Sequence, residues 1–199
     1  MEMTLLEKHL VNRESKGRHN FELLRQRLNE IGRERIHHVL ELGCGVGYVS
    51  VFLAKAYKMR VIGIDFDTEQ IRRARSLHRE GELLRFQALE ASRLAFSDAS
   101  FDLVVSQNVF HHIAGWQRVV QEVGRVLRDG GYFIWLDLAF PSLVKKLLQP
   151  WSKTHGIYTF EEVRKELQKD GLIQLFYERI RRGLFAHHHL ILQKATNSV

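Results

Sequence analysis

The strongest constraint on this chain is a glycine cluster, Gly43-Cys44-Gly45-Val46-Gly47, set between a short apolar run from His38 to Leu42 and a helical-period stretch from Tyr48 to Tyr57. Glycine lets a backbone turn sharply and approach a ligand closely. A strand that turns at once into a helix opens a βαβ unit whose first turn lies at a ligand site. The same alternation continues downstream. Arg60 to Ile64 reads as strand, Thr68 to His78 as helix, and Leu83 to Gln87 and Phe101 to Ser106 as strands. A helix from about Trp116 to Leu127 and a strand from Tyr132 to Leu138 follow. Strands alternating with helices imply right-handed crossovers and a mostly parallel sheet.

The flanks differ from this core. Residues 3 to 31 carry apolar positions at helical spacing, broken around Ser15 to Gly17, and predict two N-terminal helices. An irregular stretch is expected from Phe140 to Tyr158, then a helix from Phe160 to Lys169. Two strand-like runs, Leu172 to Ile180 and Leu184 to Leu192, then read as a hairpin. The expected fold is α/β: a Rossmann-like, doubly wound, mostly parallel seven-stranded sheet with an antiparallel C-terminal hairpin strand and N-terminal cap helices. A chain of 199 residues suits one domain. Its expected parts are a helical cap (1–35), a cofactor-binding core (36–140), a lid or substrate segment (141–158), and a helix with the hairpin (159–199).

Composition trims the functional classes. Hydrophobic residues at 45% and charged residues at 27% exclude a mainly disordered chain. No run approaches the roughly 18 apolar residues of a spanning helix, and residues 1–10 lack the apolar core of a signal peptide, so a cytoplasmic location is expected. The single cysteine, Cys44, excludes an intramolecular disulfide and a multi-cysteine zinc site. His187 and His189 share a strand face without a clear third ligand, and no metal is expected. A net charge of +7 permits attraction to nucleic acid or other anions without requiring it.

Asp65 ends the second strand, 22 residues beyond Gly43. That spacing suits a carboxylate accepting hydrogen bonds from ribose hydroxyls, which points to an adenosine-containing cofactor. The competing reading makes the glycines a tight turn and Asp65 a cap for the helix from Thr68. A dinucleotide turn carries a small residue at its third glycine position, and here Tyr48 stands there. The glycines read G-x-G-x-G instead, and with their flanks this resembles the first motif of the class I S-adenosylmethionine-dependent methyltransferases. Val61-Ile62-Gly63-Ile64-Asp65 resembles the second motif of that family, and Glu90-Ala91 with Leu94 and Phe96 its acidic adenine-side loop. Ser100 to Val104 with Phe110-His111-His112-Ile113 resembles the fourth-strand region, and Arg125 to Gly131 the turn before strand five. The likeness spans about residues 36 to 138 and is nearest to the small-molecule branch of ubiquinone and menaquinone biosynthesis methyltransferases. The chain departs from the family pattern at Glu90, where Asp is usual, and at Ala95 and Asp129, where proline is usual.

The resemblance implies S-adenosyl-L-methionine as cofactor, S-adenosyl-L-homocysteine as product and a small-molecule methyl acceptor as partner. It implies that Gly43, Gly45 and Gly47 run beside the methionine part, that Asp65 takes the ribose, and that Phe66 lies against adenine. Glu90 and Ala91 would border the adenine edge, Glu41 would hold the amino-acid end, and Ser106 would line the cofactor site. Methyl transfer from a sulfonium needs an in-line nucleophile, with a base only when that nucleophile must lose a proton. His111 or His112, after strand four, is the candidate base, against a reading in which the pair only packs. Arg18 and His19, and Trp151, His155 and Tyr158, are candidate lid and acceptor-pocket residues. An RNA methyltransferase, a non-catalytic cofactor-binding protein and a nicotinamide oxidoreductase stand as the other readings. Oligomeric state is not readable from these residues.

Overall fold

The computed structural model describes residues 14–182 and 185–196, with the backbone alone at residues 14–20, 151 and 182. The elements run α1 (Glu14–Asn29), β1 (His38–Leu42), α2 (Tyr48–Tyr57), β2 (Arg60–Asp65), α3 (Thr68–Leu77), β3 (Leu84–Ala88) and β4 (Phe101–Gln107). They continue as α4 (Trp116–Val126), β5 (Leu127–Ala139), α5 (Ser142–Leu148), α6 (Phe160–Lys169), β6 (Leu172–Arg182) and β7 (Phe185–Lys194). The seven strands lie in the order β3-β2-β1-β4-β5-β7-β6. β1 pairs with β2, β2 with β3, and β4 with β5 in parallel, while β5 pairs with β7 and β7 with β6 antiparallel. This is the expected fold class.

The chain divides into two compact units, residues 2–91 and 92–199. In the first, β1 carries Val39, Leu40, Glu41 and Leu42 buried in succession, the signature of a strand covered on both faces. Asp67 caps α3 by accepting from the Glu69 amide at 2.9 Å. In the second unit, α4 buries Val119, Val120, Val123 and Val126, a stripe at helical spacing. The side chain of Thr159 accepts from the Glu162 amide while the Glu162 carboxylate accepts from the Thr159 amide, a full capping box that starts α6 where the sequence predicts it. Arg125 ties the loop before β4 to α4, donating to the carbonyls of Leu94 and Phe96 and to the carboxylates of Asp98 and Glu122.

Three expectations are corrected. α1 runs through Ser15 to Gly17, where a break between two helices was expected; helical hydrogen bonding tolerates that polar stretch at a modest propensity cost. The segment expected to be irregular after Phe140 contains α5 and a 3₁₀ turn at Gln149–Trp151. Its Leu143, Val144, Leu147 and Leu148 have helical spacing, and Pro150 sits in the first turn of that 3₁₀ helix. β5 begins at Leu127, ahead of the expected Tyr132, because Leu127 already pairs with Phe101 across a register shift.

Candidate active site

In the unit of residues 2–91, the β1–α2 turn is built on positive backbone angles, φ 64° at Gly43, 53° at Gly45 and 85° at Gly47. The two later glycines serve different needs. A side-chain carbon at Gly45 would meet no atom within 4 Å, so the backbone there borders open space, whereas one at Gly47 would lie 2.4 Å from the Phe86 ring. Gly47 also stands at the N-cap of α2. The Cys44 amide donates to the Ile64 carbonyl at 2.9 Å, stitching the turn to β2. The Cys44 thiol is buried and pushed well above its ordinary pKa by desolvation, which suits a small packing residue.

Asp65 organises this turn. One carboxylate oxygen accepts from the Gly45 amide and the other from the Asp67 amide, both at 2.9 Å. Directly after it, Phe66 is 58% exposed, an unusual placement for a ring that size. Glu41 lies at the base of the turn, buried, and accepts a short hydrogen bond from the Ser50 hydroxyl. Burial raises its pKa to about 8, the Ser50 bonds lower it, and the neighbouring Asp65 charge raises it further. Glu90 is exposed and Ala91 is buried. Open space at Gly45, an exposed ring and a carboxylate anchored at the turn form a surface that an adenosine-containing cofactor fits.

In the unit of residues 92–199, Ser106 near the end of β4 is fully buried, and its Oγ makes no hydrogen bond among the described residues. His111 and His112 lie in a 3₁₀ turn, Phe110–His112, with ring centroids 4.0 Å apart. His111 Nδ1 is 2.5 Å from Asp137 Oδ1. Asp137, near the end of β5, is fully buried, and its other oxygen accepts from the Val109 and Phe110 amides at 2.8 Å each. Sequence reasoning missed Asp137. The visible signal was an acid inside an otherwise apolar strand, Phe133-Ile134-Trp135-Leu136-Asp137-Leu138.

The substrate and lid candidates separate. The side chains of Arg18, His19 and Trp151 lie outside the described residues. His155 is half-buried, with Nδ1 3.0 Å from the Thr154 hydroxyl. Tyr158 sits in the interior, 0% exposed, its ring 5.1 Å from Trp116 and 6.3 Å from Trp135, so it is packed as a core residue. His188 stacks flat on Phe160 at 4.2 Å while its Nδ1 meets the Tyr177 hydroxyl at 3.1 Å. His189 is buried, and among the described residues no group of three or more His, Cys, Asp or Glu side chains is placed to hold a metal ion. None of the described helices is long and apolar enough to cross a membrane.

A doubly wound sheet whose first strand turns through glycines, with an acid closing the second strand, defines a nucleotide-cofactor-binding α/β protein. Residues 40–135 match the family described as methyltransferase domain. The uncharacterised methyltransferase YcgJ of Bacillus subtilis (strain 168) is 35% identical over 103 residues, covering 51% of this chain and 40% of that protein. The 2-methyl-6-phytyl-1,4-hydroquinone methyltransferase of Synechocystis sp. (strain ATCC 27184 / PCC 6803 / Kazusa) is 30% identical over 148 residues, covering 68% of this chain and 46% of its own length. Among solved structures, that of a putative sarcosine dimethylglycine methyltransferase from Galdieria sulphuraria superposes with a TM-score of 0.79 at 17% identity, covering 92% of this chain and 88% of that one. Residues 40–135 are thus a methyltransferase domain, and the fold is the one seen in that solved methyltransferase structure. The chain spans less than half the length of the two curated relatives named here.

Proposed function

We propose that this protein transfers a methyl group from S-adenosyl-L-methionine to a small-molecule acceptor, releasing S-adenosyl-L-homocysteine. The observation that carries the reading is Asp65, anchored to the Gly45 amide at 2.9 Å and followed by the exposed Phe66 ring. In this reading the Asp65 carboxylate holds the ribose hydroxyls and Phe66 covers one adenine face. Gly43 and Gly45 let the backbone run beside the methionine end, Glu41 supports that end, and Glu90 and Ala91 border the adenine. Gly47 contributes through the turn and its packing on Phe86. When bound, the cofactor supplies an electrophilic methyl on a sulfonium; the protein's part is to position the acceptor and exclude water.

A small acceptor is favoured because relatives that name a substrate act on small molecules, among them a hydroquinone, tocopherol, sarcosine or dimethylglycine, and a fatty acid. His155 and the Phe140–Tyr158 segment are the proposed acceptor side, with Arg18, His19 and Trp151 retained as candidates. Isothermal titration with S-adenosylmethionine, S-adenosylhomocysteine and NAD tests the cofactor. Micromolar binding of the first two and none of the third is expected; binding of NAD alone would overturn the reading. Transfer of a radiolabelled methyl group to a panel of small molecules and to total RNA tests the acceptor class, with label in the small-molecule fraction expected.

A further inference from the structure

We propose that α5 and the tip of the β6–β7 hairpin form a docking surface for a lipid bilayer whose headgroups carry negative charge. The chain lies on such a surface and does not cross it through its described helices, none of which is long and apolar enough. The contact is independent of the chemistry proposed above, because it involves neither the glycine turn nor Asp65.

α5 is a helix with no covered face. None of its seven residues is buried, and Leu143 and Leu147 are 75% and 76% exposed. Residues four apart lie side by side on a helix, so the two leucines form one apolar ridge, and Lys146, three residues after Leu143, stands beside it. Lys145 is ion-paired with Glu162 in the first turn of α6, which ties α5 to the fold while the ridge faces solvent. A second segment joins the ridge. Ala139 pairs with Ala186 across β5 and β7, and just beyond them the rings of Phe140 and Phe185 meet edge to face at 5.8 Å. Phe185 is exposed at the hairpin tip, as is Arg181 on the paired strand. The two segments are some 40 residues apart in sequence, and the β5–β7 pairing makes them one surface.

Charge decides what covers this face. Residues 138–160 hold three lysines and no acid, and residues 179–199 hold three arginines, one lysine and no acid. The acids bordering these stretches have partners: Glu161 pairs with Arg164, Glu162 with Lys145, and Glu178 lies 3.5 Å from His189. Lys146 and Lys153 are exposed and make no ion pair among the described residues. A second copy of the chain seated here about a twofold axis sets these cations against one another. A nucleic acid satisfies the cations, yet single strands are held by stacking on aromatic rings, and this ridge is aliphatic. A bilayer with anionic headgroups suits both features. Leucines enter the boundary between headgroups and acyl chains while the ammonium groups stay at the phosphates.

The test is flotation of the full chain with vesicles of phosphatidylcholine and phosphatidylglycerol in equal parts, beside vesicles of phosphatidylcholine alone. Binding to the mixed vesicles is expected, weakening as salt is added, with little binding to the neutral ones. Leu143→Ser with Leu147→Ser should lower the partition coefficient by about ten-fold for each leucine. Lys146→Gln with Lys153→Gln should lower it by about five-fold for each charge. Circular dichroism checks the fold of both double variants; the lysine pair carries the test should the leucine pair not fold. Depth is read separately. Leu147→Cys labelled with an environment-sensitive fluorophore should shift its emission to the blue on mixed vesicles, and Ser97→Cys, exposed ahead of β4, should not; Cys44 is buried from the label. Absence of binding to mixed vesicles overturns the proposal, as does equal binding to neutral ones. So does binding that both double variants leave unchanged, or a fluorophore at Leu147→Cys that stays silent. Sedimentation of the same proteins without lipid tests the other occupants. A dimer that the leucine pair dissolves assigns the face to a second copy, and binding of random-sequence RNA that the lysine pair abolishes assigns it to nucleic acid; either result overturns the lipid assignment.

Discussion

The Ser50 hydroxyl donates a short hydrogen bond to the carboxyl group of Glu41, and both side chains are buried beneath the glycine turn. Burial is the largest influence on Glu41 and lifts its pKa from 4.5 to about 8. The folded protein therefore holds a proton that the unfolded chain releases. The stability this contributes is fully present below pH 4.5 and is lost as pH rises through about 8. The slope is at most about 1.4 kcal/mol per pH unit. Glu41→Gln should flatten the fall in stability between pH 5 and 8, measured by urea unfolding across that range.

His188 acts in the opposite sense. Burial, then the charges of Arg179, His187 and His189, lower its pKa from 6.5 to about 4. Between those values the unfolded chain binds the proton and the folded one does not, so this contribution is present above pH 6.5 and is lost as pH falls toward 4. Together the two groups nearly cancel between about pH 4.5 and 6.5 and leave a net decline above it. His188→Gln should lose the acid-side limb in thermal melts at pH 4 to 7, besides a constant loss from its stack on Phe160.

Asp65 both shapes the turn and is assigned the ribose. Charge-assisted hydrogen bonds contribute about 1.5–3 kcal/mol each, so Asp65→Ala should weaken S-adenosylhomocysteine binding by about ten-fold to a few hundred-fold. Asp65→Asn keeps one acceptor and should fall between the two. Isothermal titration of the three proteins checks the order; an affinity unchanged in Asp65→Ala would remove the ribose assignment.

Gly45 and Gly47 should separate binding from folding. Gly47→Ala places a carbon 2.4 Å from the Phe86 ring in a left-handed conformation, and should lower stability by about 2 kcal/mol or more. Gly45→Ala meets no protein atom, so its folding cost is only the left-handed strain, about 1–2 kcal/mol. Its carbon occupies the open space assigned to the cofactor. It should therefore weaken S-adenosylhomocysteine binding, read by titration alongside chemical unfolding.

Much of the fold is local in origin, which is why the sequence carries it. The glycine turn is set by backbone freedom, α6 starts at Phe160 because its capping box, Thr159 to Glu162, lies within four consecutive residues, and β1, β2 and β4 announce themselves by short apolar runs. The order of strands and helices, the parallel core with its terminal hairpin, and the pairing of a glycine turn with Asp65 follow from such short-range patterns. What only the tertiary structure decided depends on groups far apart in the chain. Asp137 looks like one acid in an apolar strand until β5 lies beside β4 and sets it against His111, three amides holding it in place. Tyr158, a natural pocket residue by type, is core because Trp116 and Trp135 close over it. Glu41 becomes a proton-holding acid only when burial removes its water. Burial and partner distance are sums over the whole chain, and a local pattern does not contain them.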